Sequence, residues 1–273
     1  MVAKVRTGVG GKVGHAGTLD PMATGLLVLG VGRSTRLLRF VQGLQKEYEA
    51  SAQFGVATDS LDADGSILER TPMDVSATDV VAAMSRFTGR IMQIPPMVSA
   101  RKVEGRRLYE IAREGGEVER EARPVTISEL DLVDFAPGEY PEIVFRVVCS
   151  TGTYVRTLAD DLARSVGGRA HLTALRRTRI GSLTVGDAVT VDEATADPGG
   201  HLVAPAAALA DLPVFTASGE LAQAVRHGVA LPGPVIGAAA RTDDVLAVVD
   251  DAGSLLAVYR FDGKSARAEV VVG

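Results

Sequence analysis

A histidine and an aspartate, His15 and Asp20, lie close together in the segment Gly14–Gly25. Three glycines and one proline in this segment predict a loop, and a loop held by a rigid scaffold commonly carries reactive side chains. The two side chains could supply acid–base or nucleophilic chemistry. A structural turn fits the same pattern, with Asp20 capping a helix that begins at Pro21. The residues alone leave both interpretations open.

Other glycine-rich and acidic clusters fail the spacing of cofactor motifs. Gly8–Lys12 resembles a phosphate loop, but Arg6 occupies the position of the first Walker glycine. Residues 30–35 lack the third glycine of a dinucleotide fingerprint. A calcium loop beginning at Ser60 would have Thr71 in place of its bidentate glutamate. We therefore predict no cofactor from these segments.

The composition is that of an ordinary globular chain of 273 residues, 46% apolar and 23% charged. Cys149 is the only cysteine, which excludes an intrachain disulfide and a multi-cysteine metal site and fits a reducing cytosol. Its β-rich surroundings predict a buried strand residue rather than a nucleophile. The longest apolar stretch, Leu26–Val31, is far shorter than the roughly 18 residues of a membrane span. We predict a cytoplasmic protein with no membrane contact.

The net charge of −5 is unevenly distributed. Residues 1–186 carry 24 basic and 22 acidic side chains, whereas residues 187–273 carry 5 and 12. A breaker-rich stretch over residues 196–205 predicts a linker between two domains that meet near residue 200. Beyond it, Ser218 can cap a helix that ends at Gly228, and Asp250–Gly253 predicts a hairpin turn.

The elements that must position the loop are predicted from periodicity. Side chains alternate between apolar and polar over Lys46–Phe54, which predicts a strand with one buried face. Ser76 and Asp79 resemble a capping box, and a short amphipathic helix follows until Gly89. Ile143–Cys149 predicts a strand that continues through a turn into a helix over residues 155–166. This mixture without a βαβ rhythm predicts an α+β fold.

The segment Gly14-His-Ala-Gly-Thr-Leu-Asp-Pro-Met-Ala-Thr-Gly25 resembles the motif of the TruB-type tRNA pseudouridine synthases. Further blocks similar to that family follow in order, and they are Lys46–Tyr48, Thr58–Gly65, Ile94–Tyr109, Arg120–Pro124, Cys149–Leu162 and His171–Gly181. The resemblance implies a catalytic domain over residues 1–200 with a central mixed or antiparallel sheet flanked by helices. Residues 203–273 resemble, more weakly, the small β-rich PUA-type RNA-binding domain.

The implied activity is the conversion of uridine-55 in the T-loop of tRNA to pseudouridine. The resemblance makes Asp20 the catalytic carboxylate, and whether it attacks C6, attacks C1′ or deprotonates C2′ stays open. Because the reaction involves neither redox change nor group transfer, no metal or cofactor is expected. The substrate-binding residues that the resemblance implies are His15, which fills the space of the flipped nucleotide, the Asp20 partner Arg156, and the pocket side chains Tyr48, Tyr154 and Leu175.

The implied partner is the T-arm of tRNA, bound by a monomer. Basic side chains near the predicted pocket are candidates for contacts to the RNA backbone, and they are Lys46, Arg101, Lys102, Arg106, Arg107, Arg176, Arg177 and Arg179. Phosphate contacts predict that affinity falls as the salt concentration rises.

The family usually carries a strand and an Asp-Lys-Pro segment before the histidine loop, whereas this chain begins at Met1–Arg6. We interpret these residues as the end of the helix that follows that segment, so the first family segment is expected to be missing. The alternative function is a non-catalytic module that binds or folds tRNA, for which the missing segment is the only argument.

Overall fold

The computed structural model describes residues 1–96, 102–103, 106–107 and 120–272. By their internal contacts the residues form two compact units. The central unit comprises Leu19–Leu26 and Leu44–Ile180, and the terminal unit comprises Met1–Thr18, Leu27–Gly43 and Gly181–Gly273. The two units do not divide the chain at a single point, because two N-terminal segments group with the C-terminal residues. The domain boundary near residue 200 therefore stays a prediction.

The helices of the described residues are short and lie in both units. They are α1 (Val2–Val9), α2 (Leu38–Gln42), α3 (Ala77–Phe87), α4 (Val155–Ser165), α5 (Val191–Ala196), α6 (Gly219–Arg226) and α7 (Gly233–Ile236). Single 3₁₀ turns occupy Gly32–Arg36, Val185–Asp187, Ala207–Leu209 and Gly237–Ala239.

The strands before the midpoint of the chain are β1 (Val13–His15), β2 (Thr24–Gly25), β3 (Leu29–Val31), β4 (Lys46–Phe54), β5 (Val56–Thr58), β6 (Ile67–Arg70), β7 (Gly89–Gln93), β8 (Lys102–Val103), β9 (Arg106–Arg107) and β10 (Arg123–Ala136). Those that follow are β11 (Glu142–Cys149), β12 (Ala170–Ile180), β13 (Leu183–Thr184), β14 (Val214–Thr216), β15 (Leu231–Pro232), β16 (Val245–Val249), β17 (Leu255–Phe261) and β18 (Ser265–Val271).

The sheet of the central unit has the order β12, β4, β11, β10, β7, and these neighbours pair antiparallel. The short strand β2 pairs parallel with β12, so the sheet is mixed. Helix α4 packs against β12 and β4, and α3 packs against β10. Their buried faces enclose one apolar core that includes Phe54, Phe145, Leu158 and Leu172. The predicted α+β class is confirmed.

The local predictions for this unit are confirmed. Strand β4 buries Ala50, Ala52 and Phe54 and leaves the alternate positions partly or fully exposed. Helix α3 begins after Ser76, whose hydroxyl accepts from the Asp79 N–H while the Asp79 carboxylate accepts in return. Strand β11 leads through a turn into α4, as periodicity indicates.

The C-terminal part of the terminal unit contains a sheet in the order β14, β16, β17, β18, β15. A turn at Asp250–Gly253 joins β16 to the antiparallel β17, as predicted. Helix α6 follows Ser218, but the predicted cap is wrong in detail, because the Ser218 hydroxyl donates to the Asp251 carboxylate at 2.5 Å. Tyr259 and Leu246 are fully buried in the core beneath α6.

Candidate active site

Asp20 lies in a tight turn and not at the start of a helix. The N–H of Ala23 donates to the Asp20 carbonyl at 2.9 Å, and the chain then enters β2. The N–H of Leu26 donates to the Arg177 carbonyl at 2.8 Å, which fixes the end of this loop on β12. The interpretation of Asp20 as a helix cap is therefore wrong.

The Asp20 carboxylate forms a two-point contact with Arg156. Arg156 Nε lies 3.0 Å from Asp20 Oδ2, and Nη2 donates to Oδ1 at 3.0 Å. The side chain of Arg156 is 3% exposed and that of Asp20 is 33% exposed, so the carboxylate alone reaches the surface. A guanidinium held in this way orients the carboxylate through two hydrogen-bonding contacts.

Helix α4 places Arg156 in its first turn, where it also meets a second carboxylate. Arg156 Nη1 donates to Asp62 Oδ2 at 3.1 Å and to the Ser60 carbonyl at 2.8 Å. Asp62 is 5% exposed, so the ion pair is buried. Such a pair is stable only if the remaining lone pairs are also satisfied.

The loop between β5 and β6 supplies those partners. Asp62 Oδ1 accepts from the Ser60 hydroxyl at 2.5 Å and from the Asp64 N–H at 3.2 Å. The Thr58 hydroxyl donates to the Asp62 carbonyl at 2.8 Å. Gly65 is required here because an added Cβ would lie 2.2 Å from Ser60 Oγ. The sequence does not single out Asp62 within the family-like block Thr58–Gly65, where the run of short polar residues is the available signal.

Tyr48 and Leu175 lie on adjacent strands beside this site. Both belong to the core cluster of the central unit, Leu175 fully inside it and Tyr48 packed against it. Burial raises the pKa of the Tyr48 hydroxyl, and a hydrogen bond from Arg177 acts in the opposite direction. The negative charge of Asp20 also raises the pKa of the Tyr48 hydroxyl. Tyr154 is half-buried at the residue that precedes α4.

The structure places two predicted phosphate contacts, Lys46 and Arg177, in the interior. Lys46 is 6% exposed, its Nζ donates to the Leu44 carbonyl at 2.6 Å, and burial lowers its pKa to about 8. Arg177 is 1% exposed, and its Nε donates to the Leu26 carbonyl at 2.8 Å. Both side chains point to the apolar face of the sheet, so neither offers an exposed charge. This differs from the expectation that Lys46 and Arg177 contact RNA phosphates.

The other basic candidates are placed differently. Arg176 is exposed, and Arg179 is half-buried with Nη2 lying 3.1 Å from Glu47 Oε2. Arg101 lies outside the described residues. For Lys102, Arg106 and Arg107 the structure describes only the backbone, in the β8 and β9 pair, and their side chains lie outside it.

His15 lies in the terminal unit, where β1 pairs antiparallel with β3. A surface cleft of about 660 Å³ opens beside it. The exposed cations Lys12, Arg36 and Arg39 line this cleft, and Arg39 Nη2 lies 2.8 Å from Glu269 Oε2. The sequence does not single out these three cations, because they are separated along the chain and form no basic run.

Two further observations concern the described part of the chain. It contains no group of three or more histidine, cysteine, aspartate or glutamate side chains that could hold a metal ion. Within the same residues, no helix is long and apolar enough to cross a membrane.

Cys149 is buried at the end of β11 as predicted, and burial raises its thiol pKa to about 11.

Comparison with solved structures identifies the fold. The chain superimposes over 99% of its length on 79% of a chain in a Cbf5–Nop10–Gar1 complex, with a TM-score of 0.72 and 23% identity. It matches to the same extent a chain of an H/ACA RNP bound to a substrate RNA containing 2′-deoxyuridine, at 22% identity. The fold is that of the pseudouridine synthases.

Sequence comparison identifies the family. Residues 4–155 match the N-terminal domain of the TruB family pseudouridylate synthases. A tRNA pseudouridine synthase B from Symbiobacterium thermophilum is 50% identical over 232 residues, which cover 84% of this chain and 77% of the relative. The protein of the same name from Moorella thermoacetica is 44% identical over 92% of this chain and 85% of the relative. The chain belongs to the TruB family and is a pseudouridine synthase.

Proposed function

We propose that this protein isomerises uridine-55 in the T-loop of tRNA to pseudouridine, with Asp20 as the catalytic carboxylate. Its relatives named tRNA pseudouridine synthase B support tRNA as the substrate. The observation that carries the assignment to Asp20 is its two-point contact with the buried Arg156, which leaves the carboxylate partly open to the surface.

The reaction places defined demands on the site. The bond from C1′ to N1 of the base breaks, the base turns, and a bond from C1′ to C5 forms. N1 gains a proton and C5 loses one, so the product is an isomer and no co-reactant is consumed. Arg156 holds the Asp20 carboxylate in a fixed orientation throughout, and the enclosed ion pair with Asp62 keeps Arg156 in place.

The detached base needs an apolar surface with an aromatic face. We assign this surface to Tyr48 and Leu175, which lie on the adjacent strands β4 and β12, and a second ring to Tyr154, two residues before Arg156. Stacking on an aromatic side chain contributes about 1 to 3 kcal/mol per base, which offsets the few kcal/mol lost when the nucleotide leaves its helical stack.

The RNA backbone needs exposed cations, which the cleft beside His15 provides. Lys12, Arg36 and Arg39 there are accessible, in contrast to Lys46 and Arg177. We assign contacts to tRNA phosphates to this cleft, and we propose that His15 takes the place of the flipped nucleotide within the RNA.

An unmodified tRNA transcript, incubated with the protein and mapped for pseudouridine, tests the proposal. We expect pseudouridine at position 55 and at no other uridine. A transcript with cytidine at position 55 is the matched control and should stay unmodified. Modification of a different uridine would overturn the site specificity.

The first variant to test is Asp20→Asn, which removes the charge and keeps the shape. We expect tRNA affinity within about threefold of the wild type and a loss of turnover of at least about 10⁴-fold, since the carboxylate proposed to react is lost. Turnover by this variant would refute the assignment of Asp20. If the wild type binds tRNA but forms no pseudouridine when the enzyme is in excess, the non-catalytic module is the better interpretation.

A further inference from the structure

Gln93 is a buried residue at the end of β7 that none of the steps above uses. Its side chain is almost fully enclosed, with 2% of the residue exposed. Oε1 accepts from the Tyr154 N–H at 2.8 Å, and Nε2 donates to the Tyr154 carbonyl at 3.0 Å. One side-chain amide therefore binds both backbone polar groups of Tyr154, which fixes the distance between β7 and this residue.

Tyr154 is the N-cap residue, which directly precedes helix α4. Its backbone is extended, with φ −102° and ψ 106°, and its side chain makes no capping hydrogen bond. Its carbonyl also accepts from the Leu158 N–H at 3.1 Å, the first hydrogen bond of the helix. The N–H groups at a helix start have no partner within the helix. Gln93, on strand β7, supplies a hydrogen-bond acceptor to the Tyr154 N–H that a local capping side chain would otherwise supply.

The contact with Gln93 thus fixes the first turn of helix α4, which contains Arg156. Arg156 follows Tyr154 by two residues and makes contacts of 2.8 to 3.1 Å with Asp20, Asp62 and the Ser60 carbonyl. A shift of the helix start would move the guanidinium relative to all three acceptors. A misplacement of about 1 Å at a reacting centre can lower a rate about 100-fold.

The backbone that carries Gln93 is itself firmly held. Gln93 pairs with Arg123 across β7 and β10. Beyond Ile94, Pro95 and Pro96 restrict the backbone torsions, and Arg120 Nη1 donates to the Pro95 carbonyl at 3.0 Å. The amide of Gln93 is therefore presented from a rigid strand end and can transmit its position to α4.

We propose that Gln93 is a positioning residue for pseudouridine formation, which acts by holding Tyr154 and thereby the Arg156 guanidinium against Asp20. This inference rests on the proposed function. It predicts that loss of the amide lowers the rate of the chemical step and leaves tRNA affinity unchanged, because Gln93 is enclosed and cannot contact the RNA.

The test compares Gln93→Leu with Gln53→Leu. Gln53 is the matched control, because its Nε2 donates only across the polar face of the sheet, to Glu142 Oε1 at 3.2 Å. Single-turnover rates at saturating tRNA, dissociation constants and thermal unfolding are measured for both. We expect Gln93→Leu to react about 10- to 100-fold more slowly with a dissociation constant within about twofold of the wild type. The control should match the wild type in rate and affinity.

A conservative variant supplies a readout that general destabilisation would not produce. In Gln93→Glu, an ionised carboxylate can accept from the Tyr154 N–H but repels the Tyr154 carbonyl, whereas the neutral acid can donate to it. Burial favours the neutral acid, so the rate relative to wild type should recover as the pH falls from about 8 to about 6. The relative rate of Gln93→Leu should stay constant over this range.

Three results would overturn the proposal. They are a wild-type rate for Gln93→Leu, a weaker affinity with an unchanged maximal rate, or a rate loss that follows the unfolded fraction and does not recover in Gln93→Glu. Failure of the proposed function is distinguishable, because the wild type itself would then form no pseudouridine. Amide exchange of Tyr154 tests the contact without catalysis: about tenfold faster exchange in Gln93→Leu is expected, and unchanged exchange would show that the Gln93 amide does not hold Tyr154.

Discussion

Two aspartates contact one guanidinium in this site, and their surroundings separate their roles. Asp62 is enclosed, and its two oxygens accept from Arg156, Ser60 and Asp64. Asp20 is one-third exposed and meets the same arginine from the open side. Asp62 is therefore a structural anchor, whereas Asp20 is the carboxylate that a substrate can reach. Residue type alone does not distinguish them.

A residue-scale prediction concerns Lys46, whose pKa burial lowers from 10.5 to about 8. Between these values the unfolded chain binds more protons than the folded chain, so the free energy of unfolding rises with pH. We expect the stability of the wild type relative to Lys46→Met to increase by up to about 3 kcal/mol from about pH 8 to about pH 10.5. Urea unfolding over this range measures it.

The exposed Lys264→Met variant is the control and should show no such trend. A constant stability difference between wild type and Lys46→Met across this range would show that Lys46 titrates normally. The tRNA affinity of Lys46→Met should also equal that of the wild type, because its ammonium lies in the interior. Weaker tRNA binding by Lys46→Met would instead support the sequence-based prediction that Lys46 contacts a phosphate.

At the scale of elements, the short strand β2 fixes the Asp20 loop on β12. Gly25 has a φ of +95°, and an added Cβ would lie 2.2 Å from the Arg177 carbonyl oxygen. Only glycine allows this close approach, so the loop position depends on a residue with no side chain. The buried Arg177 completes the attachment, with its carbonyl accepting from Leu26 and its Nε donating back.

We therefore expect Gly25→Ala to lower the free energy of unfolding by at least about 2 kcal/mol and to slow catalysis with it, because both the torsion and the contact are strained. Chemical denaturation and single-turnover kinetics measure the two effects. Gly11→Ala is the matched control, since nothing lies within 4 Å of its added Cβ, and it should change stability by less than about 0.5 kcal/mol. Equal unfolding midpoints for the two variants would contradict the prediction.

At the scale of the whole molecule, the net charge of −5 conceals opposite local charges. Residues 187–273 hold 12 acidic and 5 basic side chains. The terminal unit nevertheless forms a cationic cleft from Lys12, Arg36 and Arg39, only one of which is paired with Glu269. Attraction of a polyanion is thus a property of this local field and not of the average charge.

The double variant Lys12→Gln and Arg36→Gln tests this field. We expect tRNA affinity to fall about tenfold at low salt and the slope of log Kd against log salt to decrease by about 1 to 2. The reason is that binding releases about one counterion fewer for each phosphate contact that is lost. The maximal rate at saturating tRNA should be unchanged. Arg70→Gln, an exposed arginine outside the cleft, is the control. An unchanged salt slope would place the backbone contacts elsewhere.

What the sequence determined by itself is local. The alternation over Lys46–Phe54 and the Ser76 capping box depend on neighbours within a few residues, and the structure confirms both. The Gly14–Gly25 motif and the blocks that follow it also sufficed to identify the family, since their order and residue types survive without any knowledge of contacts.

What only the tertiary structure decided involves distant contacts. Arg156 meets Asp20 and Asp62 across 136 and 94 residues of chain. Lys46 and Arg177 are typical surface residue types, yet the pairing of β4 with β12 and the attachment of β2 enclose them. Burial and charge pairing depend on which strands lie next to each other, and the residue pattern within one strand does not specify its neighbours. The structural role of Asp62 and the burial of Lys46 and Arg177 are therefore visible only in the fold.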